Sequence, residues 1–205
     1  MKKLDRRNFL IATSLSAAAV ALTNTLSGCT PPKERAASGG QYMGGFAADK
    51  LPTVRIALIG VGARGSGHAK QLASIEGTEI VAISDLYEDL VDRSVANCVE
   101  VGKGRHQNIA RYFGDENNWM KMLAEVKADA VFIATNWNNH APMAIAAMKQ
   151  GAHAFVEVPI AVTLAEMWDI VDTSERTQKH CMMMENVNYG REELIYLNLC
   201  RKQII

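Results

Sequence analysis

The sequence has no excess of either charge: 22 Lys+Arg stand against 22 Asp+Glu in 205 residues. It therefore lacks the clustered basic surplus of a nucleic-acid-binding chain. It is poor in cysteine, and Cys29, Cys98, Cys181 and Cys200 include no C-x-x-C pair. That excludes a zinc ribbon or a disulfide scaffold, and no metal site is expected. Aromatics are sparse at 6%, prolines number five, and no internal repeat runs through the chain. With 48% hydrophobic and 21% charged residues, the composition is still that of an ordinary globular protein. Collagen-like, coiled-coil and mostly disordered chains fall away. This length admits one large domain, or one domain with part of another.

The first 28 residues read as an address. Lys2, Lys3, Arg6 and Arg7 precede an Ala/Leu-rich stretch running from Phe9 to Leu26, the architecture of a secretory signal. Without them the chain is mildly acidic, which suggests no polyanionic partner. The Arg6-Arg7-Asn8-Phe9-Leu10 run resembles a twin-arginine signal, and Leu26-Ser27-Gly28-Cys29 resembles a bacterial lipobox. These predict export to the periplasm or cell envelope, with a lipid anchor at Cys29 as the only membrane attachment. Small and hydroxyl residues throughout the apolar stretch argue against a membrane-spanning helix. Residues 29–51, with Pro31, Pro32, Gly39, Gly40, Gly44 and Gly45, read as a flexible tether.

From residue 52 onward, short apolar runs alternate with longer amphipathic stretches. Strands are predicted at 54–59, 79–83, 130–134 and 154–158, with 181–184 less β-branched and 110–113 short. Helices are predicted at 66–75, 89–101, 117–126, 141–150, 164–177 and 191–203. The last of these collects Leu194, Ile195, Leu197, Leu199 and Cys200 on one broad face. Near-continuous apolar strands mean burial on both faces, as in a parallel sheet flanked by helices. Strand–helix alternation then implies right-handed crossovers and an open α/β sheet. The predicted fold is a doubly wound parallel sheet of Rossmann type over 52–190.

The strongest chemical signal is Gly60-Val61-Gly62-Ala63-Arg64-Gly65. It follows an apolar strand and opens a helix, and Asp85 ends the next strand twenty residues after Gly65. That is the context a dinucleotide fingerprint requires. Gly60 permits the tight turn, Gly62 admits backbone to the pyrophosphate, and Gly65 lets helix and strand pack closely. The helix N-terminus offers the phosphates unpaired N–H groups and the positive end of a dipole. Asp85 is placed to accept hydrogen bonds from the adenosine ribose and to repel a 2′-phosphate, so NAD is favoured over NADP. A nearby Arg64 guanidinium would work the other way.

Ligands of doubly wound sheets bind beyond the carboxyl ends of the strands. There the fourth strand leads into Thr135-Asn136-Trp137-Asn138-Asn139-His140, read as a polar-aromatic loop beside the cofactor. His140 has three readings: catalytic base, ring-stacking contact or helix-start residue. Glu157, held before Val158-Pro159, is read as pointing into the same crevice; its alternative is a strand-end carboxylate facing water. Glu185-Asn186 ends the sixth strand, and Met182–Met184 before it reads as core packing.

Together the glycine turn with Asp85, the Trp137–His140 stretch, Glu157-Val158-Pro159 and Met183-Met184-Glu185-Asn186 resemble the Gfo/Idh/MocA group of NAD(P)-dependent proteins. Within it, residues 52–205 are most similar to glycoside hydrolase family 109, bacterial NAD-dependent α-N-acetylgalactosaminidases. The resemblance implies cofactor contacts at Ala63, Arg64, Asp85, Trp137, Asn138, Asn139, His140, Glu157, Val158 and Asn186, beside Gly60, Gly62 and Gly65. It also implies a redox-neutral hydrolysis: oxidation at sugar carbon 3, elimination of the aglycone, addition of water and return of the hydride. NAD-dependent enzymes are among the exceptions to two-carboxylate glycoside hydrolysis.

Two departures bear on this. The wider group's sugar dehydrogenases carry Glu-Lys-Pro, whereas here Val158 removes the cation that moves the hydroxyl proton. The family's second aromatic is also missing from the Trp137–His140 stretch. The family's substrate-binding tyrosines and histidine have no counterpart, so catalytic residues are expected beyond Ile205. Residues 191–205 read as the first helix toward a largely missing substrate domain. The expectation is a fragment or truncated product that binds NAD weakly or not at all, hydrolyses nothing unaided, and self-associates or dissolves poorly through that helix's apolar face. The alternatives are a sugar or polyol dehydrogenase and a non-catalytic NAD-binding remnant.

Overall fold

A computed structural model describes residues 39–187 and 190–204. The expected signal segment 1–28, Cys29 and the first part of the tether lie outside the described residues. Six strands, β1 (Val54–Ile59), β2 (Thr78–Ser84), β3 (Ala110–Tyr112), β4 (Ala130–Ile133), β5 (His153–Glu157) and β6 (Cys181–Met184), alternate with six helices. The helices are α1 (Ala63–Ser74), α2 (Glu88–Val101), α3 (Asn118–Glu125), α4 (Trp137–Lys149), α5 (Leu164–Thr177) and α6 (Arg191–Arg201). The strands form one sheet in the order β3-β2-β1-β4-β5-β6, and every pairing is parallel. The strand order reverses between β1 and β4, and that switch point is where a doubly wound sheet opens a crevice.

Strand alternation distributes the core to both faces. Ile56 and Leu58 of β1 pack with Ala69 and Ala73 of α1 and with Val91, Val95 and Cys98 of α2. Their neighbours Ala57 and Ile59 pack with Met143, Ala144, Ala147 and Met148 of α4 and with Ile170 of α5. Helix α5 starts on a full capping box: Thr163 Oγ1 accepts the Glu166 N–H (3.2 Å), and the Glu166 carboxylate accepts the Thr163 N–H (2.9 Å). Among the described residues no helix is long and apolar enough to cross a membrane, and no group of three His, Cys, Asp or Glu could hold a metal ion.

Four expectations are corrected. Residues 39–51 are held against the domain and are not a free tether. Gln41 N–H donates to Glu175 O (3.2 Å), Gln178 Nε2 donates to Gln41 O (2.9 Å), and Phe46 packs on His180 with ring centroids 5.0 Å apart. The fourth helix starts at Trp137 and not at Ala141, because Asn136 caps it by accepting the Asn139 N–H on Oδ1 (3.2 Å). The first helix likewise starts at Ala63, three residues earlier than read. Met182–Met184 are not core: β6 is an edge strand, and its methionines are half-buried or exposed. Helix α6 buries no residue, and Leu194, Ile195 and Leu197 are all exposed.

Candidate functional site

The crevice is built around the turn from β1 to α1. Gly60 has φ +84°, and a Cβ there would lie 2.6 Å from Ala134 O, so the turn needs glycine for both conformation and space. A Cβ on Gly65 would fall 1.9 Å from Gly60 O, which explains how tightly α1 closes on the turn. Gly62 differs: a Cβ there meets nothing within 4 Å. It caps α1 without a side-chain bond, and no acidic residue occupies the first turn. The first main-chain bond at this end is Ser66 N–H to Gly62 O (3.0 Å). The N–H groups ahead of it are those a helix end leaves for an external acceptor. The open room at Gly62 and these donors fit a diphosphate.

On the β2 side, Asp85 Oδ2 accepts the N–H of the fully buried Val61 (2.7 Å), and Oδ1 accepts the Tyr87 N–H (3.1 Å). The carboxylate therefore ties the glycine turn to the end of the neighbouring strand. It also lines a cavity of about 340 Å³ with Gly60, Tyr87, Trp119, Asn136 and Asn139. An ionised carboxylate offers about four lone-pair sites, so Asp85 retains acceptor capacity toward a ligand hydroxyl.

On the β5 side, Glu157 is 7% exposed. Its Oε1 meets His68 Nε2 at 2.6 Å and Arg64 Nε at 3.4 Å, both from α1. Arg64 and His68 are one helical turn apart and share a face. They line a second cavity of about 570 Å³ with Ala63, Gly67, Gln71 and Asn186. Arg64 thus lies on the β5 side with Glu157 and does not line the cavity of Asp85, so it is not placed to take a 2′-phosphate there.

The expected residues sort unevenly. Gly60, Asp85 and Asn139 border the first cavity, and Ala63, Arg64 and Asn186 border the second. Trp137, Asn138 and Asn139 form the exposed first turn of a helix, which corrects their reading as a loop. His140 is 1% exposed, its Nδ1 2.7 Å from Pro159 O and its Nε2 3.1 Å from Thr135 O. Its ring faces neither cavity and instead latches the end of β4 to the segment after β5. Val158 is half-buried and borders neither cavity. Sequence reasoning missed His68, although its i+4 spacing from Arg64 on the helix that opens at the fingerprint was a usable signal.

A glycine turn at the switch point, an acid at the next strand end and a donor-rich helix N-terminus define a dinucleotide-binding Rossmann domain. The family model described as the oxidoreductase family with NAD-binding Rossmann fold matches residues 54–185, and the chain belongs to this Gfo/Idh/MocA family. Its cofactor is accordingly NAD. The chain is 47% identical to glycosyl hydrolase family 109 protein 2 of Akkermansia muciniphila, with 98% of this chain and 45% of that protein covered. It is 44% identical to an alpha-N-acetylgalactosaminidase of Shewanella oneidensis, covering 98% and 44%. It spans less than half the length of these curated relatives. Among solved structures it resembles scyllo-inositol dehydrogenase from Lactobacillus casei with bound NAD(H) and scyllo-inositol. That match has a TM-score of 0.63 at 20% identity, with 75% of this chain and 42% of that one covered; the likeness is one of fold.

Proposed function

We propose that this chain is the NAD-binding part of a glycosidase acting on α-N-acetylgalactosaminides by transient oxidation, elimination, addition and reduction. The observation that carries the reading is the family 109 likeness at 47% identity across nearly the whole chain, joined to a cofactor cleft with Val158 after Glu157. Val158 offers no lysine amine to take up a substrate hydroxyl proton, which disfavours a net dehydrogenase. The chemistry that NAD supplies when bound is the reversible uptake of a hydride from a sugar carbon. The chain's own residues bind and orient it. The N-terminus of α1 at Gly62 takes the diphosphate, Asp85 accepts from the adenosine ribose, and Glu157 with Asn186 borders the opposite end. His140 holds the β4 and β5 ends at a fixed spacing beneath them.

Export through residues 1–28 with lipidation at Cys29 belongs to the same proposal. A redox-neutral reaction regenerates its cofactor in each turnover and needs no external nicotinamide pool. The test joins this chain to the remaining portion of the Shewanella oneidensis relative and supplies p-nitrophenyl α-N-acetylgalactosaminide with NAD. Expected are nitrophenol release that requires NAD, solvent deuterium at sugar carbon 2, and no net NADH. Stoichiometric NADH accumulation would instead identify a sugar dehydrogenase. Failure of the chain to bind NAD at millimolar concentration would leave a non-catalytic module.

A further inference from the structure

The Glu157 carboxylate is buried at the end of β5, behind the Arg64 and His68 side chains that line the second cavity, and a charge there is tolerated only if it is paired and hydrogen-bonded. Both of its side-chain partners among the described residues come from α1, and both fall on the same oxygen, Oε1. Among the described residues Oε2 meets only the Val158 N–H, at 3.3 Å, and keeps further acceptor capacity. The two α1 groups are not equivalent. The Arg64 side chain is 58% exposed and 3.4 Å away, a solvent-screened pair that fixes little. His68 is 22% exposed and 2.6 Å away, a short bond to a charged acceptor and the stronger constraint.

We propose that His68 is a positioning residue for the nicotinamide side of the bound dinucleotide. By holding Oε1 it fixes the rotamer of Glu157 and leaves Oε2 with acceptor capacity for a ligand. The same bond ties the body of α1, whose N-terminus is the diphosphate site, to the end of β5. The spacing between the diphosphate site and the Glu157 acceptor is therefore set by His68. The adenosine side at Asp85 stands on separate bonds to Val61 and Tyr87 and does not depend on it. This rests on the cofactor orientation given under the proposed function, with Asp85 on the adenosine side.

The experiment compares NAD with ADP, which lacks the nicotinamide riboside, by calorimetric titration of the wild-type chain, His68→Ala and His68→Gln. A hydrogen bond to a charged group corresponds to roughly a ten- to hundredfold change in affinity. His68→Ala is expected to weaken NAD by at least about tenfold and to leave ADP within about twofold. His68→Gln, whose amide can still donate to Glu157, is expected to recover most of the loss. A merely structural role would weaken both nucleotides together, and that result overturns the inference. So does unchanged NAD affinity in His68→Ala. If His68→Ala does not fold, His68→Leu, which fills the space without a donor, is read against His68→Gln in its place. A wild-type chain that binds neither nucleotide overturns the proposed function and this inference together, whereas wild-type binding with an unaffected His68→Ala or His68→Leu overturns this inference alone.

Discussion

Two glycines three positions apart, Gly62 and Gly65, make opposite predictions, and together they test the cleft. In Gly65→Ala the new Cβ lies 1.9 Å from Gly60 O and 2.9 Å from Gly60 C, more than an ångström inside any tolerable contact. Both atoms are backbone, so relief requires moving α1 off the turn. Overpacking costs about 1–3 kcal/mol and occasionally more, and a rigid backbone clash belongs at the upper end. The helix-propensity gain of alanine over glycine returns only about 1 kcal/mol. A net loss of roughly 2–3 kcal/mol, at about 2–4 °C per kcal/mol for a domain of this size, lowers Tm by roughly 4–12 °C. Gly62→Ala meets no atom within 4 Å. There, weaker N-capping by alanine is offset by reduced unfolded-state entropy, and stability stays within about 0.5 kcal/mol. Its methyl nonetheless occupies the room in front of the unpaired N–H groups, so NAD affinity falls by about tenfold or more. Thermal melts followed by circular dichroism, with and without NAD, read both effects. A Gly65→Ala variant melting with the wild type, or a Gly62→Ala variant that keeps its NAD-induced stabilisation, would refute the reasoning.

Three further outcomes are expected. Burial, then Lys179 and His180, lower the His153 pKa from its ordinary 6.5 against an opposing pull from Asp129, and its Nδ1 accepts the His180 N–H (2.9 Å). The folded state thus binds fewer protons than the unfolded chain, so the contribution is full above about pH 6.5 and lost as pH falls below it. Urea midpoints should drop on acidification and drop less in His153→Asn, and equal slopes in the two proteins would count against this. Thr163→Ala removes the hydroxyl that caps α5 and should cost about 1 kcal/mol in urea unfolding, with an unchanged midpoint as the contrary result. Burial raises the Cys98 thiol to about 11 and the Cys181 thiol to about 12, whereas Cys200 is exposed. Alkylation of the native chain near neutral pH, mapped by mass spectrometry, should mark Cys200 and spare Cys98 and Cys181.

The sheet was legible because its strands carry continuous apolar runs, buried on both sides, and because its glycine turn sits at a strand end. Elements whose identity depends on distant partners were not. The start of α4 was not legible because Thr135–His140 is polar apart from Trp137 and carries no apolar helical repeat. In the structure Pro142 lies inside the helix on an exposed side, and the cap is a side-chain bond from Asn136. Residues 39–51 read as a tether because their glycines speak for local freedom. Their anchoring comes from Glu175, Gln178 and His180, more than a hundred positions along the chain. His68 was silent for the same reason, since its partner lies 89 residues away. His140 shows the converse: a polar residue at a ligand-binding strand end invited a functional reading, yet two carbonyl oxygens occupy its ring.

The arrangement of charge explains how this crevice admits an anion at all. Two carboxylates flank the N-terminus of α1, and left bare they would repel a diphosphate placed between them. Neither is bare. Asp85 is held by two main-chain N–H groups, and Glu157 by a histidine and an arginine of the helix whose end is the proposed diphosphate site. Each acid is thereby partly neutralised on the side facing the protein while keeping acceptor capacity for a ribose hydroxyl. A phosphate on the adenosine ribose would find no such relief. The cavity beside Asp85 is lined also by Asp115 and Glu116, and Arg64 is engaged across the helix with Glu157. On the proposed cofactor orientation, a preference for NAD over its phosphorylated counterpart follows from the acids that line this cavity and from the absence of Arg64 from its lining.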